Sequence, residues 1–260
     1  MREAAAVIPT NNTIPYTATP RVTWTLIGLC IATYVYQLTL SQAETEAFFN
    51  TYALVPARYT SGAWDAAHDA SRANLLPFVS NMFLHGGLMH IASNLWVLWV
   101  FGPALEDRLG AGRFLGLYLA SGLAASLLHF VFNFSSAVPA LGASGAIAGV
   151  IAAYARRFPY AWVNVLQPVV FLPVFFFMPA LLFAGFWFAT QLMQGLGSLA
   201  LPGAGGIAWW AHIGGFIAGW ILIRRLAPPA NAAEETHAAT RSALWPWTTW
   251  MRWMTWWWRR

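Results

Sequence analysis

The sequence contains no lysine, one cysteine and few charged residues of any kind. Charged side chains make up 9% of the 260 residues, whereas a soluble globular chain carries them at about a quarter of its positions. Hydrophobic residues make up 58% of the chain, and its 16 tryptophans and 8 tyrosines are of the type that collects where hydrocarbon meets lipid headgroups. Because so few charged residues cannot cover a protein surface that faces water, we predict a membrane protein.

Because the chain has no lysine, its positive charge comes from arginine alone. A net charge of +5 raises the question of nucleic-acid binding. The 14 arginines, however, are scattered singly or in pairs at the ends of apolar runs. That placement is typical of membrane topology, so no nucleic-acid partner is predicted. The single cysteine, Cys30, excludes an intramolecular disulfide and a cysteine-built zinc site, and packing is its predicted role.

Six apolar runs are candidates for membrane spans, each of which needs about 20 mostly apolar residues. The runs cover residues 22–40, 81–101, 114–134, 143–154, 174–192 and 207–223. We predict an all-α polytopic membrane protein whose six-helix domain covers residues 22–226. The preceding residues 1–21 lack the pattern of a cleavable signal peptide and are predicted to be a tail, so the first run is a retained helix.

The arginines between the runs predict the orientation of the chain. Pairs of arginines follow the second, fourth and sixth runs, whereas the loops at residues 135–142 and 195–206 carry no charge. By the positive-inside rule both termini are cytoplasmic and the loop at residues 41–72 lies outside, and we predict an integral protein of the bacterial inner membrane. The Trp/Arg-rich tail at residues 227–260 is predicted to anchor on anionic lipid, with disorder in solution as the alternative.

The fourth run is too short to span, because residues 144–154 give about 16 Å of helix against a hydrocarbon core of about 30 Å. The chain before it can descend as non-helical backbone, which places Ser144 at a helix N-terminus below the outer surface. Free N–H groups and the helix dipole there favour a developing oxyanion. Gly142 and Gly145 leave the hydroxyl accessible. The alternative is that Ser144 is only an N-cap.

The sixth run supplies a histidine that can reach this serine. His212, Gly215 and Gly219 share one helical face, and the fourth run presents Gly145 and Gly149. Small residues let membrane helices pack closely, so His212 can act as the base for Ser144. Runs four to six contain no Asp or Glu, which predicts a dyad rather than a triad. The alternative for His212 is a packing histidine bonded to a carbonyl.

The start of the second run contains His85, His90 and Asn94. His90 and Asn94 lie one helical turn apart and could both donate to one developing negative charge. On a continuous helix His85 points about 140° away, so we expect it to brace the outer loop. The alternative is a metal or haem site built from His85, His90 and His212. The angle of about 140° between His85 and His90 and the lack of carboxylate or thiolate ligands disfavour such a site.

Three motifs in this order on six spans resemble the rhomboid family of intramembrane serine proteases. The motifs are His85-x4-His90-x3-Asn94, Gly142-x-Ser144-Gly145 and Ala211-His212-x2-Gly215-x3-Gly219. The resemblance implies Ser144 as nucleophile, His212 as general base, and an oxyanion hole from His90, Asn94 and the Ser144 N–H. It implies transmembrane helices as substrates and no cofactor.

The chain departs from the family pattern at two places. Rhomboids often carry a Trp-Arg pair in the loop before the second helix, whereas Trp64 and Arg72 are apart in this sequence. An aromatic residue that packs on the histidine is replaced by Ala148, so Trp187 or Phe216 must orient His212. The alternatives from other classes are an inactive rhomboid-like protein that binds transmembrane clients, and a channel or transporter, for which inverted repeats and intramembrane carboxylates are absent.

Overall fold

The computed structural model describes residues 7–68, 72–169, 172–200 and 208–228. The helices are α1 Arg21–Gln37, α2 Gln42–Tyr52, α3 Ala57–Thr60, α4 Gly62–His68, α5 Pro77–Ser80, α6 Leu88–Leu109, α7 Ala111–Phe132, α8 Ser144–Arg157, α9 Ala180–Ala200 and α10 Trp209–Leu226. The strands are β1 Ile8–Asn12, β2 Trp162–Val169 and β3 Leu172–Pro179, and a 3-10 turn covers Asn81–Phe83. The predicted lipid-anchoring tail lies outside the described residues, apart from its first two.

Each of the six predicted apolar runs overlaps one of the long helices α1, α6, α7, α8, α9 and α10. Two of the described helices, α6 and α7, are long and apolar enough to cross a membrane by length and composition. The helix α8 has 14 residues, or about 21 Å at the usual rise of an α-helix. It is therefore too short to cross the bilayer alone, while the count of six spans stays a prediction.

A three-stranded antiparallel sheet in the order β1-β2-β3 corrects the all-α prediction. Residues 174–179, predicted to open the fifth span, belong to β3, and α9 begins only at Ala180. The strand reads LPVFFFMP, in which prolines disfavour a helix interior while aromatic and β-branched residues favour a strand. A short apolar run does not distinguish the two by periodicity.

The strand β1, which falls in the predicted N-terminal tail, is fastened to the helices by side-chain hydrogen bonds. The indole N–H of Trp96 on α6 donates to the carbonyl of Pro9 at 2.7 Å. The Asn12 amide donates to the carbonyl of Val100 and accepts at 2.9 Å from the hydroxyl of Tyr154, a fully buried ring of α8. β2 then buries alternate valines against the helices, whereas β3 is an edge strand whose residues 172–176 are exposed.

The buried carboxylate of Glu106 on α6 caps the N-terminus of α1. That helix follows Pro20 and has no side-chain cap of its own. The Glu106 oxygens accept from the backbone N–H groups of Val22 and Thr23, each at 2.8 Å, and from the Thr23 hydroxyl at 2.7 Å. A carboxylate at a helix N-terminus satisfies orphan donors and interacts favourably with the dipole. The cap therefore holds α1 to α6.

Glycines bring the backbones of α8 and α10 into direct contact. A Cβ atom at Gly215 would collide with the carbonyl of Gly145, and one at Gly219 would collide with the carbonyl of Gly149. On the other side of α10, a Cβ at Gly214 would lie 2.7 Å from the carbonyl oxygen of Ala124 on α7. α10 is thus wedged between α7 and α8, and the position of His212 relative to Ser144 follows from this packing.

The loop at residues 41–72 is organised around the buried guanidinium of Arg58. This group lies over the ring of Trp64 at 5.5 Å and donates to the carbonyls of Asn50 and Thr51. Trp64 therefore has an arginine partner in Arg58. The loop joins the chain before Ser144 through a two-way backbone pair, in which the N–H of Leu54 donates to Ala140 at 3.0 Å and that of Ala140 donates back at 2.8 Å.

Candidate active site

Ser144 is the first residue of α8, at the end of a non-helical segment held on two sides. The backbone pair between Leu54 and Ala140 anchors that segment to the loop at residues 41–72, and the N–H of Gly142 donates to the carbonyl of Asn81 at 2.8 Å. The cap residue is Ala143, and its backbone accepts from Ile147 at 3.0 Å. The hydroxyl of Ser144 is therefore not used as a helix cap and is free for other contacts.

The hydroxyl of Ser144 lies 2.8 Å from Nε2 of His212 on α10. Ser144 is half-buried and His212 is 9% exposed, so the pair is largely shielded from water. This distance is within the range of a hydrogen bond between a nucleophile and its base. The sequence predicted the pair from the two small-residue faces, and the structure brings the two side chains together.

Gln191 on α9 is the neighbour of His212 that the sequence analysis did not assign. Its Oε1 lies 2.7 Å from Nδ1 of His212, and the residue is 6% exposed. A carboxylate is the usual third group of a triad, and none lies in these helices. The signal that could have found Gln191 was its polarity inside an apolar run, because such groups are costly in hydrocarbon without a function or a partner.

The hydrogen bonds assign the tautomer of His212. The amide nitrogen of Gln191 donates to the hydroxyl of Thr190 at 3.2 Å, which directs its oxygen toward His212. An amide oxygen only accepts, so Nδ1 of His212 carries the proton. Nε2 is then the unprotonated nitrogen that accepts from the Ser144 hydroxyl, which is the arrangement that a general base requires.

Two aromatic rings lie beside the His212 imidazole. The ring of Trp187 on α9 lies 5.7 Å from it between centroids, and the ring of Trp209 contacts it edge-on at 6.1 Å. Phe216, the other residue considered from the sequence, packs on Trp187 at 6.2 Å. Trp187 thus occupies the orienting position, with Phe216 behind it.

His90 and Asn94 face the backbone of Gly142, two residues before Ser144. A Cβ at Gly142 would lie 2.7 Å from Nε2 of His90 and 3.6 Å from Nδ2 of Asn94. Gly142 has φ +122°, a conformation that also favours glycine. The buried Nδ2 of Asn94 has no partner among the described residues, and Nδ1 of His90 accepts from the N–H of Gly86 at 3.4 Å. Two donors are therefore directed toward the segment that precedes the serine.

The prediction that His85 points away from His90 was wrong. Because α6 begins at Leu88, His85 lies in the turn before it and its direction does not follow helical periodicity. The two rings meet edge to face at 5.2 Å. The Gln37 amide of α1 binds both backbone groups of His85, donating to its carbonyl at 2.8 Å and accepting from its N–H at 3.2 Å. His85 therefore links the turn to α1.

A small cavity of about 20 Å³ lies beside Ser144. Its polar lining includes Asn81, which donates to Ser126 at 3.0 Å, and His129. A cavity of this size holds one water molecule. Within the described residues no group of three or more His, Cys, Asp or Glu side chains could hold a metal ion.

The fold and the site define a helical protein with a serine–histidine pair at the start of a short internal helix. The Rhomboid domain matches residues 72–229, so the chain belongs to the rhomboid family and is an integral membrane protein. The matched segment is more than half of the chain and includes every residue of the candidate site.

Three relatives illustrate the range of the family. Presenilin-associated rhomboid-like protein A, mitochondrial, of Danio rerio is 32% identical over 165 residues, which are 60% of this chain and 39% of that protein. Rhomboid protease GluP of Bacillus subtilis is 49% identical over 70 residues, 27% of this chain and 13% of that protein. Rhomboid protein 1, mitochondrial, of Saccharomyces cerevisiae is 34% identical over 90 residues, 33% of this chain and 26% of its own. The chain thus spans less than half the length of each of these relatives. Two of them are mitochondrial and one is bacterial, so the location of this chain in a bacterial inner membrane stays a prediction.

Proposed function

We propose that the protein is an intramembrane serine endopeptidase that cleaves transmembrane segments of other membrane proteins. The observation that carries the proposal is the 2.8 Å contact between the Ser144 hydroxyl and Nε2 of His212. Rhomboid family proteins are generally intramembrane serine proteases, and one relative of this chain is named a rhomboid protease. The proposed catalytic domain covers residues 22–226, with both termini cytoplasmic and the lipid bilayer as solvent.

The proposed reaction is acyl transfer in two steps. Nε2 of His212 takes the hydroxyl proton as Ser144 Oγ attacks the scissile carbonyl, and the protonated imidazole then gives that proton to the leaving amine. Water, activated by the same nitrogen, hydrolyses the acyl-serine and restores the hydroxyl. The chemistry uses no metal and no cofactor.

The negative charge of the tetrahedral intermediate needs donors that are already in place. We assign this role to His90, to the unpartnered Nδ2 of Asn94 and to the backbone N–H of Ser144 at the N-terminus of α8. Fixed donors of this kind stabilise a developing oxyanion because they need no reorganisation during the reaction. The N–H of Gly86 donates to Nδ1 of His90, so Nε2 is the protonated nitrogen of that ring.

The alternative function is an inactive rhomboid-like protein that binds transmembrane clients without cutting them. Such a protein has no need for a serine hydroxyl held on the unprotonated nitrogen of a buried histidine. Nor does it need the buried Asn94 amide, whose Nδ2 has no partner among the described residues, since an unsatisfied buried group costs about 1–3 kcal/mol. The combination favours the protease.

The test is to incubate the purified protein in lipid nanodiscs with a panel of transmembrane substrates, and to label it with a serine-reactive fluorophosphonate. We expect cleavage of at least one substrate and labelling of the parent at Ser144. A His212→Ala variant should lose both, because the base is gone. Binding of substrates without cleavage or labelling would identify a client-binding protein instead.

Removing either oxyanion donor should slow the chemical step more than it weakens substrate binding. We expect His90→Ala and Asn94→Ala each to lower kcat by about 10- to 1000-fold, with little change in KM, because such donors act mainly in the transition state. The measurement is steady-state cleavage of a reconstituted substrate. Ser93→Ala, an exposed neighbour on α6, is the control and should turn over normally. A change in KM alone would make His90 and Asn94 substrate-binding residues.

A further inference from the structure

The acceptor for the candidate base lies on a different helix from both catalytic residues. Ser144 and His212 are on α8 and α10, whose backbones touch at glycines, whereas Gln191 is on α9. α9 presents large apolar side chains outward, with Phe186 exposed at 55% and Met193 at 74%. The catalytic pair is thus built on the tightly packed part of the bundle and its acceptor on a peripheral helix.

On this basis, and resting on the proposed function, we propose that Gln191 is a positioning residue that makes His212 competent as a base only while α9 is packed on α10. Gln191 Oε1 fixes the proton on Nδ1 and so leaves Nε2 free for the Ser144 hydroxyl. This is the orienting role that a carboxylate has in a serine protease triad, performed by a neutral side chain that carries no charge into hydrocarbon.

The position on α9 couples this role to movement of the helix. A substrate helix arrives sideways from lipid and has to pass between helices of the bundle. Trp187, on the same helix, lies 5.7 Å from the His212 ring between centroids. Any displacement of α9 therefore removes the acceptor and the ring support together. When α9 returns, Gln191 and Trp187 position His212 as a base again. Hydrolysis therefore follows the entry of the substrate helix.

The positioning role is tested by removing the acceptor without removing the base. We expect Gln191→Leu to lower kcat by about 10- to 100-fold with KM nearly unchanged, because orientation of the base is lost while the substrate path stays. Gln191→Glu keeps an oxygen at this place and should turn over at least about tenfold faster than Gln191→Leu. Gln194→Leu, on the same helix but exposed, is the matched control and should behave as the parent.

A spectroscopic readout separates this proposal from the proposed function. The ¹⁵N shifts of the His212 ring, assigned by their loss in His212→Ala, report which nitrogen carries the proton without any substrate. The parent and Gln191→Glu should show a protonated Nδ1, and Gln191→Leu a mixture of tautomers. Unchanged shifts and turnover in Gln191→Leu would overturn the positioning role and leave the protease intact. A parent with the Nδ1–H signature but no proteolysis would overturn only the proposed function.

The coupling to α9 is tested by a reversible cross-link. A Cβ at Gly195 would lie 3.6 Å from the Cβ of Trp209 on α10, within the range of a disulfide, and the natural Cys30 is buried and does not compete. In the double variant Gly195→Cys/Trp209→Cys the reduced protein is the reference, because it already lacks the Trp209 ring beside His212. Relative to that reference, oxidation should keep fluorophosphonate labelling of Ser144 but stop cleavage of transmembrane substrates, and renewed reduction should restore cleavage. Equal cleavage in the oxidised and reduced protein would show that α9 need not move.

Discussion

Replacing Ser144 with alanine is expected to abolish cleavage of transmembrane substrates while leaving the melting temperature close to that of the parent. The substitution removes the only atom proposed to attack the scissile carbonyl, so no slower route through the same site remains. The structural cost is small, because the α8 cap is Ala143 and the hydroxyl makes one hydrogen bond, to His212. A hydrogen bond of this kind contributes about 1 kcal/mol.

The experiment measures substrate cleavage and thermal unfolding on the same nanodisc preparation. Ser121→Ala is the control, because Ser121 is a serine of the bundle, fully buried on α7, and has no assigned role. We expect that variant to cleave and to label with fluorophosphonate as the parent does. If Ser144→Ala still cleaved substrate, Ser144 would not be the nucleophile.

The largest effect on folding is expected from Gly215→Val. A Cβ there meets the backbone carbonyl of Gly145 rather than a flexible side chain, so α10 has to move away from α8. Overpacking of a core costs about 1–3 kcal/mol, and contact between two backbones should place this variant at or above the upper end. The same movement takes His212 away from Ser144, so labelling should be lost even in the fraction that stays folded.

Thermal melting and fluorophosphonate labelling of the purified variant check this expectation. Gly116→Val on α7 is the control, since a Cβ at that helical glycine meets nothing within 4 Å. This variant also replaces glycine with valine, but at a position where the new side chain meets no neighbour, so it should melt and label as the parent does. If both glycine variants behaved alike, the close approach of α8 and α10 would not be what holds the site together.

The catalytic candidates could be predicted because few polar groups occur in the apolar runs and each needs a reason to be there. The small-residue faces on the fourth and sixth runs then indicated which two helices meet. The start of α8 followed from length alone, since its run is too short to span. These inferences depend on local composition and spacing, which the sequence contains directly.

Other features depend on contacts between distant segments. The LPVFFFMP segment forms a strand because it pairs with β2. The other neighbour of β2 is β1, which lies about 150 residues earlier in the chain. The direction of His85 depended on where α6 begins. Gln191 was visible as a polar residue, but its partner follows from the relative rotation of α9 and α10, which spacing within one helix does not fix.

The exposed edge strand has a consequence for anyone who purifies this protein. β3 offers unpaired backbone groups along one side, with Leu172 and Phe175 exposed at 69% and 57%. Such an edge is a template for pairing with a second chain wherever lipid does not cover it. Harsh detergent should therefore yield oligomers joined strand to strand, which infrared spectroscopy would detect as new sheet in a mainly helical sample, and retained native lipid should keep the preparation monodisperse.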